Sequence, residues 1–438
     1  MLTLLGIGTV AALLLLILFR VTSVLVALTL VPLAAALAGG FAGSFGTFAM
    51  DGIRGVTPVA VLLAFAVIYF GVMNDAGLFE PVIRVLVRLV GTDPVRIALG
   101  TAAVASVAHL DGAGASTFMV TVPAMLPLYT RAGMSPLALT CITALAAGTM
   151  NMLPWGGPTT RAATALQVSA TGLFVPVIPA MIAGMAGVFL LATRIGRLER
   201  QRIALGPTRF AAEALADSAD AAASVHGTAS PRFGRLWYFN ALLTALTLTV
   251  LFLELVPLAL VFMIASAIAL VVNYPDSHAQ RERLTSHGAA AMMMVTIIFA
   301  AGVFTGVLSK SGMLASMTND LVSILPAAAL RHFPLIMAVV SMPLSLVFDP
   351  DSFYFGLLPV LAHAADAAGG SGIEVARGAI LGQMTTGFPV SPLTPATFLL
   401  VGLANVDLAD HQRKTIPYAF AVTIVMTLAA LLTGALSF

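Results

Sequence analysis

The stretch GTMNMLPWGGPTTRAA at 148–163 interrupts a long apolar segment with two prolines and a pair of glycines. Proline has no amide hydrogen with which to continue a helix, whereas it is favoured in the first turn of a new one. The pattern therefore predicts a helix that stops near Pro154 and a second helix that starts a few residues later. This second half-helix opens with Thr159, Thr160 and Arg161, and its free amides and positive dipole end favour an anionic group.

The second half of the chain carries a corresponding break, TGFPVSPLTPATFLL at 386–400. Two further pairs of segments match in the same order, namely 71–91 with 306–326 and 109–128 with 347–366. In the last pair each segment has an aspartate, then small and hydroxyl residues, then an aromatic residue and a proline-bearing apolar arm. Three matched pairs in one order predict an internal repeat.

The composition of the whole chain places these segments in a membrane. Of the 438 residues, 59% are hydrophobic and 9% are charged, whereas soluble domains carry about a quarter charged residues. The net charge of +2 excludes a basic surface for nucleic acids. The single cysteine, Cys141, excludes an internal disulfide and a thiolate metal site. The composition therefore predicts an all-α polytopic membrane protein.

Apolar runs divide the chain into membrane crossings of about 20 residues each. Eight runs are long enough to cross unbroken: 1–19, 21–40, 56–73, 174–193, 237–255, 257–273, 290–308 and 416–437. Two further crossings, 135–172 and 374–402, are predicted to be broken helices. The segments 94–131 and 333–366 each hold two short apolar arms around a polar centre, and we expect them to form re-entrant hairpins lined by protein or a wet cavity.

The lysine and arginine residues orient these predicted crossings. Sixteen of the 21 cations fall on one side of the membrane, which is then the cytoplasmic side. Both chain termini are predicted to lie outside, in a plasma membrane of the bacterial inner-membrane type.

Each half of the chain holds five crossings and one hairpin, and because five is odd the second half must enter the membrane inverted. The predicted units are 1–195, a cytoplasmic linker at 196–235, and 236–438. Inverted repeats with paired broken helices are typical of secondary transporters, which bind substrate near the membrane midplane. The sequence therefore predicts a transporter and not an enzyme.

Few ionisable residues lie inside the predicted membrane core. They are Asp111 at the tip of the first hairpin, Asp349 and Asp351 at the tip of the second, and Arg161 after the first break. Each costs about 2.5–3.5 kcal/mol on insertion scales, which makes it a functional candidate. Arg161 can hold a carboxylate through two hydrogen bonds, or it can simply neutralise one of the acids. The aspartates can bind a hard metal ion or carry protons, and His109 is a further proton-coupling candidate.

Neutral polar residues complete the predicted substrate site around the hairpin tips and the two breaks. They join Arg161 and are Ser116, Thr117, Asn151, Gly156, Gly157, Thr159, Ser352, Ser391, Thr394 and Thr397. Amides, hydroxyls, one arginine and two or three acids favour a carboxylate ligand that arrives with a cation, because the acids would repel an unaccompanied polycarboxylate.

Two other functions also use charged groups inside a membrane. An intramembrane aspartyl protease needs two facing aspartates, one normally in a Gly-x-Gly-Asp setting, whereas Asp111 follows a histidine and a leucine. An anion channel would line its pore with similar residues, but it would not accumulate substrate against a gradient. Both functions remain alternatives to a transporter at this point.

The motifs are similar to those of the citrate–divalent metal–proton symporter family of the ion transporter superfamily. The similarity covers essentially the whole chain and includes HLDGAGASTF at 109–118, NMLPWGGPTTRAA at 151–163, FDPDSFYFG at 348–356 and SPLTPATFLLVG at 391–402. Sodium-coupled dicarboxylate symporters have a similar layout with Ser-Asn-Thr at both hairpin tips, whereas this chain has Asp-Gly-Ala-Gly-Ala-Ser-Thr and Asp-Pro-Asp-Ser.

This resemblance implies proton-driven uptake of citrate complexed with a divalent metal such as Mg²⁺ or Ca²⁺, which is part of the substrate and not a resident cofactor. Asp111, Asp349 and Asp351 would hold the metal or the proton. The resemblance also implies a homodimer in which a scaffold holds a mobile body of hairpins and broken helices, which moves as an elevator. The alternative is a sodium- or proton-coupled di- or tricarboxylate symporter without metal.

Overall fold

The computed structural model describes residues 1–19, 21–205, 234–253, 256–324 and 331–437, and the regular elements within these ranges are all helical. The prediction of an all-α protein is therefore confirmed. The helices of the first half are α1 (Leu2–Leu18), α2 (Val24–Ala38), α3 (Phe45–Asp75), α4 (Glu80–Val90), α5 (Pro94–Ala108), α6 (Gly114–Arg131), α7 (Pro136–Met150), α8 (Gly157–Leu166), α9 (Ala170–Phe174) and α10 (Ile178–Ala204).

The second half repeats this series of elements. Its helices are α11 (Arg235–Phe252), α12 (Leu258–Asn273), α13 (Ser277–Lys310), α14 (Met313–Ile324), α15 (Phe333–Leu344), α16 (Leu358–Ala367), α17 (Gly372–Ile380), α18 (Pro395–Leu403) and α19 (Leu408–Leu432). Short 3₁₀ turns lie at His109–Asp111 and Val175–Val177, and a π-helical turn lies at Ser352–Leu357.

Several of the described helices extend beyond their apolar runs. α3 and α13 have 31 and 34 residues, so each extends beyond the predicted crossing at 56–73 or 290–308. Hydropathy marks only the part of a helix that meets lipid, whereas the backbone hydrogen bonds continue into the polar ends. α10 likewise continues to Ala204, which makes the start of the predicted linker at 196–235 helical. The rest of that linker, 206–233, lies outside the described residues, and the unit boundaries stay a prediction.

The apolar helices support a multi-pass arrangement. Within the described ranges, four helical stretches are long and apolar enough to cross a membrane by themselves, namely Phe45–Asp75, Ala170–Ala204 (α9, the short 3₁₀ turn and α10), Ser277–Lys310 and Leu408–Leu432. The shorter apolar helices α1, α2, α11 and α12 have 15 to 18 residues.

Both predicted hairpins are present as helix–turn–helix units. In hairpin 1, α5 packs against α6, and the turn between them contains Gly112 with φ 73°, a backbone conformation that glycine adopts without strain. In hairpin 2, α15 leads through residues 345–351 into the π-helical turn and α16. Asp111 and Asp349 lie at the two turns.

The two halves run in opposite directions. Helix α3 and its counterpart α13 pack along their length, with Asp75 at the end of α3 accepting hydrogen bonds from Arg283 (3.2 Å) and His287 (2.9 Å) near the start of α13. At the other end, the backbone of Gly52 early in α3 contacts Gly302 late in α13. Equivalent helices are therefore antiparallel, which confirms the inverted repeat.

The halves also exchange contacts. α2 packs on α13, and its counterpart α12 packs on α3. The second part of each broken helix meets the hairpin of the other half, because α8 contacts the π-helical turn and α16 while α18 contacts α6. The hairpins and broken helices thus form one interlocked body. We call this the inner body, and we call α3, α13 and the helices α1, α2, α11 and α12 around them the outer helices.

Ion pairs join distant helix ends at one face of the bundle, which we call the arginine-rich face. Arg283 pairs with Asp75, and Lys414 lies 3.7 Å from Glu199. Arg200 of α10 donates to both carboxylate oxygens of Asp93 at 2.5 and 2.7 Å, and this hydrogen bonding lowers the pKa of Asp93. These pairs join the ends of helices that the sequence analysis places on the predicted cytoplasmic side of the membrane.

The close approach of α3 and α13 gives a test of the fold. A Cβ on Gly52 would meet the backbone of Gly302, so Gly52→Val forces the two helices apart and is expected to lower the free energy of unfolding by about 1–3 kcal/mol. Gly288→Val on α13 is the control, because a Cβ there meets open space. Thermal unfolding of both variants in detergent checks this, and equal melting temperatures would contradict the packing described.

Candidate functional site

The first helix break, 151–156 between α7 and α8, lies between hairpin 1 and the outer helices. The indole Nε1 of Trp155 donates to the carbonyl of Leu110 in the hairpin turn at 2.9 Å. The ring of Trp155 also packs against Phe70 of α3 and Phe262 of α12, with 5.3 Å between ring centroids in each pair. One side chain thus contacts both the inner body and the outer helices.

A chain of hydrogen bonds links hairpin 1 to both breaks. The imidazole of His109 bonds to Thr117 Oγ1 through Nδ1 (2.7 Å) and to Asn151 Oδ1 through Nε2 (3.2 Å). Asn151 Nδ2 donates to the carbonyl of Met384 in the second break at 2.6 Å, so Oδ1 is the acceptor and His109 Nε2 carries a hydrogen. The ring of Phe388 in the second break stacks on His109 at 6.0 Å. All three polar side chains in this chain are buried.

The second break, 381–394 between α17 and α18, is held by hydroxyl groups. Ser391 Oγ donates to the carbonyl of Ser345 in hairpin 2 at 2.5 Å. Thr394 Oγ1 donates to the carbonyl of Phe388 at 2.6 Å. An unwound segment inside a membrane protein leaves backbone carbonyls without amide partners from a helix. The hydroxyls of Ser391 and Thr394 donate hydrogen bonds to such carbonyls.

The predicted charges meet at the start of α8. Arg161 Nε donates to Asp351 Oδ1 of hairpin 2 at 2.7 Å, and Arg161 Nη1 contacts the carbonyl of Gly157 at 3.4 Å. The side chains of Arg161 and Asp351 remain 23% and 13% exposed. The pair joins a half-helix of the first repeat to the hairpin of the second, and both side chains stay partly exposed.

The other two aspartates occupy equivalent places at the hairpin tips. Asp111 accepts a hydrogen bond from the amide of Ala113 at 2.8 Å and another from the hydroxyl of Ser116. Asp349 accepts from the amide of Asp351 at 3.0 Å and from the hydroxyl of Ser352 at 2.5 Å. Each carboxylate therefore caps its own turn and binds a serine hydroxyl.

The predicted site residues separate into an accessible set and a buried set. The partly exposed residues are Asp111, Ser116, Gly157, Arg161, Asp349 and Asp351. The buried residues are His109, Thr117, Asn151, Gly156, Thr159, Ser352, Ser391, Thr394 and Thr397. Several buried hydroxyls donate to backbone carbonyls, for example Thr159 to Met152 at 2.6 Å. In this conformation the buried set shapes the site, and its contact with substrate stays a prediction.

Comparison with known proteins identifies the family. The model of the citrate transporter family matches residues 9–382. The chain belongs to the citrate transporter family. It is 43% identical to the citrate transporter of Bacillus subtilis (strain 168) over the full length of both chains. It is 40% identical to the Mg(2+)/citrate complex secondary transporter of the same organism, over 100% of this chain and 99% of the relative.

Solved structures share the fold of this citrate transporter family member. The YdaH transporter of Alcanivorax borkumensis superposes with a TM-score of 0.66 at 18% identity, over 99% of this chain and 98% of the other. MtrF of Neisseria gonorrhoeae, described among antimetabolite efflux pumps, has a TM-score of 0.60 at 11% identity, over 90% and 85% of the two chains. Because the relatives and the family are transporters, the aspartyl protease alternative is set aside and the chain is a membrane transporter, not an enzyme.

The acids of this transporter do not form a compact metal cage. Within the described residues, no group of three or more histidine, cysteine, aspartate or glutamate side chains is placed to hold a metal ion. Asp111 lies on hairpin 1, whereas Asp349 and Asp351 lie on hairpin 2. A metal bound at either tip would therefore need oxygen ligands of another kind.

Sequence reasoning missed two residues of the second break. Gln383 is fully buried, and its Nε2 donates to the carbonyl of Phe348 in hairpin 2 at 3.3 Å. Met384 has φ 57°, a left-handed conformation that a side chain makes costly and that often marks a functional site. The signal for Gln383 was present, since it is a polar residue within the predicted broken crossing at 374–402.

A cavity of about 220 Å³ separates hairpin 2 from the outer helices. Its lining includes His363 of α16, Ser309 and Phe304 of α13, and Gln167 at the end of α8. The imidazole Nδ1 of His363 bonds to the carbonyl of Pro359 at 2.8 Å, within its own helix. The cavity lies along the boundary between the inner body and the outer helices.

The hydrogen-bond chain through Asn151 gives a test of how the breaks are held together. Asn151→Asp keeps the acceptor toward His109 but loses the donor toward Met384, and it is expected to lower the free energy of unfolding by about 1–3 kcal/mol because a buried carbonyl loses its partner. Thermal unfolding in detergent measures this. Asn74→Asp, at an exposed position, is the matched control, and an equal effect of both changes would argue against the network.

Proposed function

We propose that this protein takes up citrate as a complex with a divalent metal ion, driven by protons, through an elevator motion of the inner body. Citrate as substrate is supported by the family and by the 43% identical citrate transporter. The metal is supported by the relative named for the Mg(2+)/citrate complex, to which the chain is 40% identical. We further propose a homodimer in a bacterial-type inner membrane with both termini outside.

The observation that carries the proposal is the accessible pair of Arg161 and Asp351. A carboxylate of citrate binds the same guanidinium fork that Asp351 occupies here. When citrate takes Arg161, the carboxylate of Asp351 loses its cation in a low-dielectric site and needs a metal ion or a proton in its place. Anion binding and cation binding are thereby coupled through one exchange of partners.

The charge balance of the site favours a complex over free citrate. The charged residues of the predicted membrane core are three aspartates, Asp111, Asp349 and Asp351, and one arginine, Arg161, so the proposed site is acidic. A free tricarboxylate would be repelled, whereas a divalent metal cancels most of its charge and offers a cation to the acids. The start of α8 at Gly157 adds free amides and a positive dipole end for a second carboxylate.

Proton coupling would use the acids that the metal leaves free. Asp111 and Asp349 each bind a serine hydroxyl, which can donate to a carboxylate or accept from a carboxylic acid. The hydroxyl of Thr117 gives His109 the same freedom, because it can donate to neutral imidazole or accept from imidazolium. These groups are thus able to gain and lose a proton without leaving a buried donor unmatched.

Transport in proteoliposomes tests the substrate and the coupling. We expect uptake of labelled citrate to require both Mg²⁺ or Ca²⁺ and an inward proton gradient. Arg161→Lys keeps the charge but loses the two-pronged geometry, so uptake is expected to fall by about tenfold or more, which corresponds to roughly 1.4 kcal/mol of lost interaction.

Three results would change this proposal. Uptake that is driven by protons or sodium without any metal would favour a di- or tricarboxylate symporter of the simpler kind. Uptake that never exceeds equilibrium would favour a channel. Normal transport by Arg161→Lys would show that Arg161 does not bind a carboxylate of citrate.

The elevator motion predicts that the boundary cavity changes shape during transport. Ser309 on α13 and His363 on α16 line the same cavity from two different helices, so a short bifunctional thiol reagent that joins Ser309→Cys to His363→Cys should lock the inner body and stop uptake. Binding of citrate from one side should survive the cross-link. The native Cys141 is buried and gives little background. Full uptake by the cross-linked double variant would rule out this motion.

A further inference from the structure

Each helix break holds its own hairpin through a carboxamide. Asn151 in the first break binds His109, just before the tip aspartate of hairpin 1. Gln383 in the second break donates from Nε2 to the carbonyl of Phe348 at 3.3 Å, immediately before Asp349 at the tip of hairpin 2. Each amide therefore contacts its own hairpin shortly before the tip aspartate.

The two carboxamides differ in how completely they are bonded. Asn151 uses both of its side-chain atoms, one toward His109 and one toward Met384. The Oε1 atom of Gln383 is buried, and no donor in the described part of the chain reaches it. Such an unpaired buried acceptor destabilises the fold, so a functional use is expected for it.

The backbone around Gln383 fixes this side chain in place. The hydroxyl of Tyr354 donates to the Gln383 carbonyl at 2.9 Å, and Met384 next to it is held in a left-handed conformation with φ 57°. Since Nε2 is bound to hairpin 2, Oε1 on the same carbon is also confined beside that hairpin. The oxygen is therefore an acceptor held in position without a donor.

The chemistry beside Gln383 selects a cation as its partner. Asp349 and Asp351 follow directly on the bound carbonyl of Phe348, and Arg161 is already paired with Asp351. Carboxylate and amide oxygens are hard ligands of the kind that Mg²⁺ and Ca²⁺ take. A hydrogen-bond donor would satisfy Oε1 alone, whereas a metal ion would satisfy Oε1 and the acids together.

We propose that Gln383 Oε1 is a ligand of the divalent metal in the metal–citrate complex, at the tip of hairpin 2. This inference rests on the proposed transport of that complex. Citrate brings several oxygen ligands of its own, so the protein needs to add only a few, in agreement with the absence of a three-residue cluster among the described residues. The metal then lies on the side of hairpin 2, and hairpin 1 keeps Asp111 for the proton.

A change from oxygen to sulfur tests the contact. Gln383→Met places a soft thioether sulfur at the position of the carboxamide carbon, and soft ligands favour Cd²⁺ over Mg²⁺. Citrate uptake with Mg²⁺ is expected to fall by about tenfold or more, and the ratio of Cd²⁺- to Mg²⁺-dependent uptake should rise by a similar factor. Thr385→Cys is the control, because Thr385 is equally buried but its hydroxyl donates to the carbonyl of Ile380.

A structural role for Gln383 gives a different result. In that case Gln383→Met would lower uptake with both metals by the same factor, and the proposed contact would be wrong. If this variant does not fold, Gln383→Glu keeps an oxygen at the same distance from the backbone, and its uptake of citrate should still require Mg²⁺. Uptake by Gln383→Glu that no longer requires Mg²⁺ would equally overturn the inference. Metal-independent citrate uptake by the unmodified protein would instead refute the proposed function, so the two failures are distinguishable.

Discussion

The need to satisfy backbone groups where helices break inside the bundle determines much of this structure. In an apolar environment each unpaired carbonyl or amide is costly, and the two breaks expose several. Trp155, Asn151 and Ser391 bind carbonyls of the turn of hairpin 1, the second break and hairpin 2 respectively. Each break can therefore exist only while its hairpin is in contact. This constraint joins the hairpins and broken helices into one body.

Much of this arrangement could be predicted from the sequence. A proline- and glycine-rich interruption or an acid within an apolar run has few structural explanations, and so the breaks, hairpins and inverted repeat were all recognisable. The pairing of Arg161 with Asp351 was weighed only as a neutralising contact with an unspecified acid. Its partner could not be chosen, because the choice depends on how α8 of one half packs against hairpin 2 of the other.

The rest of the site depends on packing that a linear pattern does not contain. In this conformation the hydroxyls of Thr159 and Thr394 donate to carbonyls within the breaks, while their predicted contact with substrate stays a prediction. A sequence with hydroxyl residues near a helix break looks the same whether the hydroxyls bind backbone carbonyls or substrate. The ends of α3 and α13 were missed for another reason, since their polar residues lie in helix outside the apolar core.

The inverted halves share one backbone plan but carry different chemistry. Arg161 of the predicted membrane core belongs to the first half, and Gln383, whose buried Oε1 has no donor among the described residues, belongs to the second. The two halves therefore share their backbone arrangement but not their side chains. As a result the proposed carboxylate contact, Arg161, and the proposed metal contact, Gln383, come from different halves. Under the proposed function, a bound metal–citrate complex then has a fixed orientation relative to the two halves.

The position of Trp155 has an optical consequence. The chain contains two tryptophans, and this one lies between the inner body and the rings of Phe70 and Phe262 on the outer helices. Any sliding of one group past the other must exchange the aromatic surroundings of the indole for different ones. Intrinsic fluorescence therefore offers a label-free signal of conformation, and replacing Trp237 would isolate that signal.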